Sequence, residues 1–158
     1  MKIALATDHA GFELKQKVKN FLEKKGFDVV DFGAFSFDPN DDYPDFITPA
    51  AEVLSRGEVD FAILFGGSGQ GEAICANRHK NVRTAVFYGN LENTQTDTNQ
   101  NTLNIIKSAR KHNNANALSI GARFTTEAEV MQAIETFLNT EFSFEEKHQR
   151  RIDKIESC

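Results

Sequence analysis

The stretch VDFAILFGGSGQGE, residues 59–72, carries the information that decides the fold. Residues 59–65 form the most apolar run of the chain and read as a central strand buried on both faces, as in a parallel sheet. The run breaks into Gly66-Gly67-Ser68-Gly69-Gln70-Gly71, after which residues 72–77 read as the start of a helix. Strand, glycine-rich turn and helix form the opening of a β-α unit, and the same alternation extends in both directions. Upstream, residues 2–7 and 27–32 are strand candidates. Between them Leu14, Val18, Phe21 and Leu22 recur at helical spacing, ended by Gly26. The turn-rich residues 33–42 lead into a helix carrying Ile47, Ala50, Ala51 and Leu54 on one face. Downstream, residues 83–88 and 117–120 give a fourth and a fifth strand, with a helix over 103–111 between them. Val130, Ala133, Ile134, Phe137 and Leu138 form a last apolar stripe. Such alternation predicts a three-layer α/β/α fold, with helices on both faces of a parallel sheet.

The remaining composition bounds what this fold serves. At 158 residues, 40 % of them hydrophobic and 26 % charged, the chain is expected to form a single domain over residues 1–158. Net charge is −5, which argues against nucleic-acid binding through general basicity. No apolar run approaches membrane-spanning length, and the start MKIALATDHAG is too short in apolar residues for a signal peptide. Cys75 and Cys158 have no framework spacing, so disulfides are not expected and a cytoplasmic protein is.

Two segments depart from the pattern. In residues 90–104, eleven of fifteen are Asn, Thr or Gln, which reads as a surface excursion too polar to pack. The tail 145–156 is dense in charge, with only Ile152 and Ile155 apolar. It reads as a solvated terminal helix or as one that docks on a second subunit, and periodicity alone slightly favours the first.

Ligands of open parallel sheets sit beyond the carboxyl ends of the strands. This directs attention to Asp8-His9-Ala10-Gly11 after the first strand and to the glycine loop after the third. Four glycines in six residues, around Ser68, allow backbone N–H groups to turn toward a phosphate or a developing oxyanion. The loop is neither a Walker loop, since no Lys-Ser or Lys-Thr pair follows, nor a dinucleotide fingerprint. Taken alone, a tight structural connection explains it equally well. Glu72 lies just behind the loop, and is either a helix-dipole complement or a general base. His9 is placed for ligand contact, and His112-Asn113 is expected on the same ligand side. His79 and His148 read as solvated. No histidines and acids stand at metal-ligand spacing, so no metal is predicted. Cys75 reads as a packed thiol.

The chain resembles the ribose-5-phosphate isomerase B and galactose-6-phosphate isomerase family. The likeness rests on Asp8-His9-Ala10-Gly11-Phe12, Asp42-Tyr43-Pro44, residues 66–72, Ala76-Asn77, residues 112–116, Gly121-Ala122-Arg123 and Lys147-His148-Gln149-Arg150-Arg151. It implies a Rossmann-like sheet of strand order 2-1-3-5-4. It implies aldose–ketose isomerisation of a sugar phosphate through an enediolate without metal or cofactor. It further implies a homodimer, or dimer of dimers, whose sites borrow residues from the neighbouring subunit through a docked C-terminal helix. Members carry either a cysteine matching Gly66 or a glutamate matching Glu72, and this chain is similar to the glutamate kind. On that resemblance Glu72 is the base, and Ser68 with the N–H groups of Gly67, Gly69, Gln70 and Gly71 holds the enediolate oxygen. His112 assists ring opening, Asp8 and Asn113 bind hydroxyls, and Tyr43 lines the pocket. His9, Arg123, Lys147 and Arg151 bind the phosphate. Lys147 stands where many relatives have arginine, a point charge in place of a bidentate fork, with Arg150 adjacent. Residues 90–104 are also about a dozen longer than such a family suggests, which leaves the sugar open. Two other readings remain: one subunit of a two-protein galactose-6-phosphate isomerase, and a non-catalytic phosphate- or nucleotide-binding module.

Overall fold

A computed structural model describes residues 1–157; Cys158, one of the two thiols read as unpaired, lies outside the described residues. In chain order the elements are β1 (Lys2–Thr7), a 3-10 turn (His9–Gly11), α1 (Phe12–Lys24), β2 (Asp28–Asp31), α2 (Pro44–Ser55), β3 (Phe61–Gly66) and α3 (Gln70–Ala76). There follow β4 (Thr84–Phe87), β5 (Thr94–Thr96), β6 (Thr102–Asn104), α4 (Ile105–Asn113), β7 (Ala117–Gly121), α5 (Glu127–Asn139) and α6 (Glu146–Glu156).

Five strands make one parallel sheet in the order β2-β1-β3-β7-β4. The expected order 2-1-3-5-4 is this one, because β7 is the fifth strand of the sheet. The apolar run over β3 does lie centrally, paired to β1 on one side and β7 on the other. Strand alternation divides its side chains between two cores. Ile3, Leu5, Ile63, Phe65, Leu118 and Ile120 face α1, α4 and α5, where they meet Val18, Leu22, Ile106, Val130, Ile134 and Phe137. Ala4, Ala6, Ala62, Leu64 and Ala117 face α2 and α3, where they meet Ile47, Ala50, Leu54 and Ala76. The alanine-rich face lets α2 and α3 sit close, which brings their amino ends to the carboxyl edge of β3. Among the described residues, no helix is long and apolar enough to cross a membrane.

The polar segment lies at the surface as expected, but it is ordered and not wholly unpacked. β5 and β6 form an antiparallel hairpin, pairing Thr94 with Asn104 and Thr96 with Thr102. Thr is at home on a pleated strand, and Leu103 is buried as the anchor of the hairpin. The fourth helix therefore starts at Ile105, not at residue 103, with the Asn104 side chain accepting from the N–H of Lys107 at 2.9 Å. The terminal helix is not simply solvated either. α6 lays His148 and Ile152 against its own chain, where both are buried, beside α4.

Candidate active site

The carboxyl edge of the sheet gathers the first group of predicted residues. β1 is followed by Asp8, whose buried carboxylate accepts from the N–H of Ala10 at 2.9 Å and caps the following turn. His9 is tied twice to Asp41 Oδ1, through its backbone N–H at 3.0 Å and its ring Nδ1 at 2.7 Å. Asp41 was not a predicted site residue, although it adjoins the Asp42-Tyr43-Pro44 motif; a lone Asp in a turn carries no signal of its own. Fixing Nδ1 on the carboxylate leaves Nε2 as the free nitrogen of His9.

β3 ends in the glycine loop. Gly69 has φ +74°, a left-handed conformation that suits glycine, and its carbonyl accepts from Ser119 Oγ at 2.7 Å. The carbonyls of Gly66 and Gly67 accept from the N–H groups of Ala122 and Arg123, at 2.8 and 3.1 Å, so the loop after β7 straps the loop after β3. The Arg123 side chain thereby lies along Gly67, and the Tyr43 ring lies against Gly71. Ser68 Oγ accepts from the N–H of Gln70 at 3.3 Å, and Gln70 reaches across to the Tyr88 hydroxyl.

Glu72 is in the first turn of α3, only 4 % exposed, with its carboxylate folded back over the Gly66 Cα. A Cβ on Gly66 would fall 1.9 Å from Glu72 Oε1. The position must be glycine for the acid to occupy its place. Burial pushes the Glu72 carboxyl above the usual carboxylate range, its own backbone N–H opposes this, and the Asp8 charge adds to it. The competition between dipole and desolvation is thus won by desolvation, in the direction a general base working near neutral pH requires.

The second group lies elsewhere. α4 leads into the first residue of β7, so its carboxyl end sits at the amino edge of the sheet. Arg83, just before β4, donates to the carbonyls of Asn113 and Asn114 at 3.1 Å each. His112 and Asn113 are therefore at the opposite edge from Glu72 in the same chain, which corrects the expectation of a shared ligand side. Residues 61–66 at roughly 3.3 Å per residue separate the two edges. The His112 ring packs on that of His148, tilted by 37° with ring centroids 4.4 Å apart. His148 was expected to be solvated. It is 3 % exposed, with Nδ1 on Ser143 Oγ at 2.8 Å, and burial followed by the neighbouring His112 holds it below the ordinary histidine range. Lys147 pairs with Glu145 at 2.9 Å, and Arg151 is near enough to His148 to oppose its protonation.

One group among the described residues has the makings of a cation site: Asp8, His9 and Asp41 offer ligand atoms within 4.8 Å of one another, and Asp41 Oδ2 is buried without a partner. The 2.7 Å contact between His9 Nδ1 and Asp41 Oδ1 is a hydrogen bond; two ligands of one ion stand farther apart.

The residues named from the sequence thus fall into two groups, Asp8, His9, Tyr43, the glycine loop, Glu72 and Arg123 at the carboxyl edge and His112 and Asn113, with the α6 residues beside them, at the amino edge. Against known proteins, residues 3–155 match the Ribose/Galactose Isomerase family. Ribose-5-phosphate isomerase B of Mycolicibacterium paratuberculosis is 40 % identical over 153 residues, 97 % of this chain and 88 % of that one. The crystal structure of a ribose 5-phosphate isomerase from Thermotoga maritima superposes with a TM-score of 0.86 at 39 % identity, covering 99 % and 98 % of the two chains. That of ribose-5-phosphate isomerase B from Mycoplasma genitalium, with bound ribulose-5-phosphate, gives 0.85 at 37 % identity over 99 % and 94 %. A match along the whole sequence and the whole fold makes this chain a member of the ribose/galactose isomerase family.

Proposed function

We propose that this chain interconverts ribose 5-phosphate and ribulose 5-phosphate through an enediolate, with Glu72 as the base. The observation that carries the reading is the buried Glu72 carboxylate, raised in pKa and seated over Gly66 beside the exposed edge of the glycine loop. It belongs to a chain similar end to end to a protein crystallised with ribulose-5-phosphate.

In this reading Glu72 takes the proton from C2 and returns it to C1. Charge develops on the carbonyl oxygen, where Ser68 and the N–H groups of Gly67, Gly69, Gln70 and Gly71 meet it; losing one such donor typically costs on the order of a hundredfold in rate. Asp8 and Asn113 hold sugar hydroxyls, and Tyr43, packed on Gly71, closes one wall. His9, oriented by Asp41, and Arg123 bind the phosphate with Lys147 and Arg151. Anchoring that remote group positions the reacting carbons. His112 opens the furanose ring.

Because the two groups, read as two half-sites, lie at opposite edges of one sheet, the reading requires a homodimer. The amino edge of one protomer then meets the carboxyl edge of its partner. α6, with its outward charged face, is the element we place at that contact. We take the whole chain as one domain, and the free Cys75 thiol supports a cytoplasmic location.

The direct test is proton NMR of the purified chain with ribose 5-phosphate in D2O containing EDTA. Ribulose 5-phosphate should appear with deuterium at C1. No conversion would overturn the reading and turn attention to six-carbon aldose phosphates. A second expectation concerns Gly66→Ala. The added methyl must displace the Glu72 carboxylate from its place, so kcat should drop about a hundredfold. A Gly66→Ala enzyme with normal kcat would remove Glu72 from the chemistry.

A further inference from the structure

The hairpin β5-β6 is the one segment of the fold that the proposed function leaves without a task. Its turn is built around Asp97. Asp97 Oδ1 accepts from the N–H groups of Asn99 and Asn101, at 2.9 and 2.8 Å, and the Asn101 side-chain amide donates to Oδ2 at 3.1 Å. The carboxylate is held rigid, and it is not spent on the turn alone. Oδ2 lies 3.6 Å from His112 Nε2, and the Asp97 side chain is nine-tenths buried by that contact and its own turn. The next two residues are engaged as well: Thr98 Oγ1 accepts from Lys147 Nζ at 3.2 Å, and the Asn99 amide donates to Glu145 at 2.9 Å. Three consecutive residues of the turn therefore grip the α4–α6 pair at the half-site that carries His112. On its other side, His112 Nδ1 meets Ser108 Oγ at 3.3 Å.

We propose that Asp97 is a positioning residue for His112, holding its ring in one orientation and in the tautomer protonated at Nε2. The proposal rests on the reading of His112 as the ring-opening residue. Ring opening moves one proton from the anomeric O1 to O4 as the C1–O4 bond breaks, and His112 carries that proton; nothing is oxidised and no further reagent is consumed. A carboxylate facing Nε2 favours the proton there, leaves at Nδ1 the lone pair that the Ser108 hydroxyl meets and the sugar takes over, and stabilises the imidazolium formed in transit. The hairpin is then a part of the catalytic apparatus.

The test separates ring opening from enolisation in the full-length enzyme. Ribulose 5-phosphate carries its phosphate on O5 and cannot close a furanose ring. Deuterium uptake at its C1 in D2O therefore needs Glu72 and the loop amides but not His112. In Asp97→Asn the turn-capping oxygen is kept and the charge facing Nε2 is removed. Conversion of ribose 5-phosphate should fall at least about tenfold, while C1 exchange into ribulose 5-phosphate stays within about twofold. His112→Ala should show the same split, more severely. Equal loss of both reactions in Asp97→Asn would mean the hairpin only holds the fold. Unchanged conversion would make Asp97 a bystander, and faster conversion would show that it withholds His112; each overturns the proposal. Wild-type enzyme that exchanges no deuterium would instead overturn the isomerase reading itself.

Discussion

Glu72→Gln is expected to lower turnover of ribose 5-phosphate by about a hundredfold to ten-thousandfold and, at the same time, to make the protein more stable at neutral pH. Glutamine keeps the shape that fills the space over Gly66 but has no proton-accepting carboxylate. The stability gain follows from the direction of the Glu72 shift, which burial raises first and the Asp8 charge second. A carboxyl raised on folding contributes stability that is fully present below its unfolded value, near 4.3, and lost as pH rises through the folded value. At pH 7 the wild type thus carries the cost of an ionised, buried acid that Glu72→Gln does not. Urea unfolding at pH 7 and at pH 4 checks this: the variant's advantage should be clear at pH 7 and shrink at pH 4. An advantage that does not depend on pH would show that charge burial is not its source, and retained turnover would assign the base elsewhere.

The second large effect is a recovery. Glu72→Gln and His112→Ala should each be nearly inactive as homodimers, through loss of different half-sites. A heterodimer of the two, isolated by distinct tags, contains one site with both defects and one with neither. Its activity per dimer should return to about half that of the wild type. The expectation rests on parallel topology: the loop after β3 and the end of α4 before β7 are at opposite edges of one sheet. A verified heterodimer as inactive as its parents would show that Glu72 and His112 do not meet across subunits.

Much of the fold is legible in the sequence. The apolar run over 59–65 declared its central place because a strand buried on both faces cannot alternate. The loop and Glu72 were found because glycine density and a following acid are local signals. His112 lies at the edge opposite to the one its residue type suggests, because a helix that leads into a strand ends at that strand's amino edge. His148 was hidden by its charged neighbours, although it shares a helical face with Ile152 four residues on. Asp41 and Asp97 were beyond reach for a different reason. Each acts through a fold-back of a polar turn onto a histidine far away in sequence, and such closure leaves no periodic trace. Residues 90–104, rich in Asn and Thr, read as a surface excursion too polar to pack; most of them are exposed, yet they form a hairpin anchored by Leu103.

The overlap between Gly66 and Glu72 also bears on how such an enzyme can change over evolutionary time. A lineage that moves its base from position 72 to a side chain at position 66 must at the same step swing the Glu72 carboxylate out of the volume it now fills. It cannot lose the acid first without passing through a form that has no base. Each single-step route therefore displaces the acid or removes it, and a duplicated gene, relieved of selection, offers a way through.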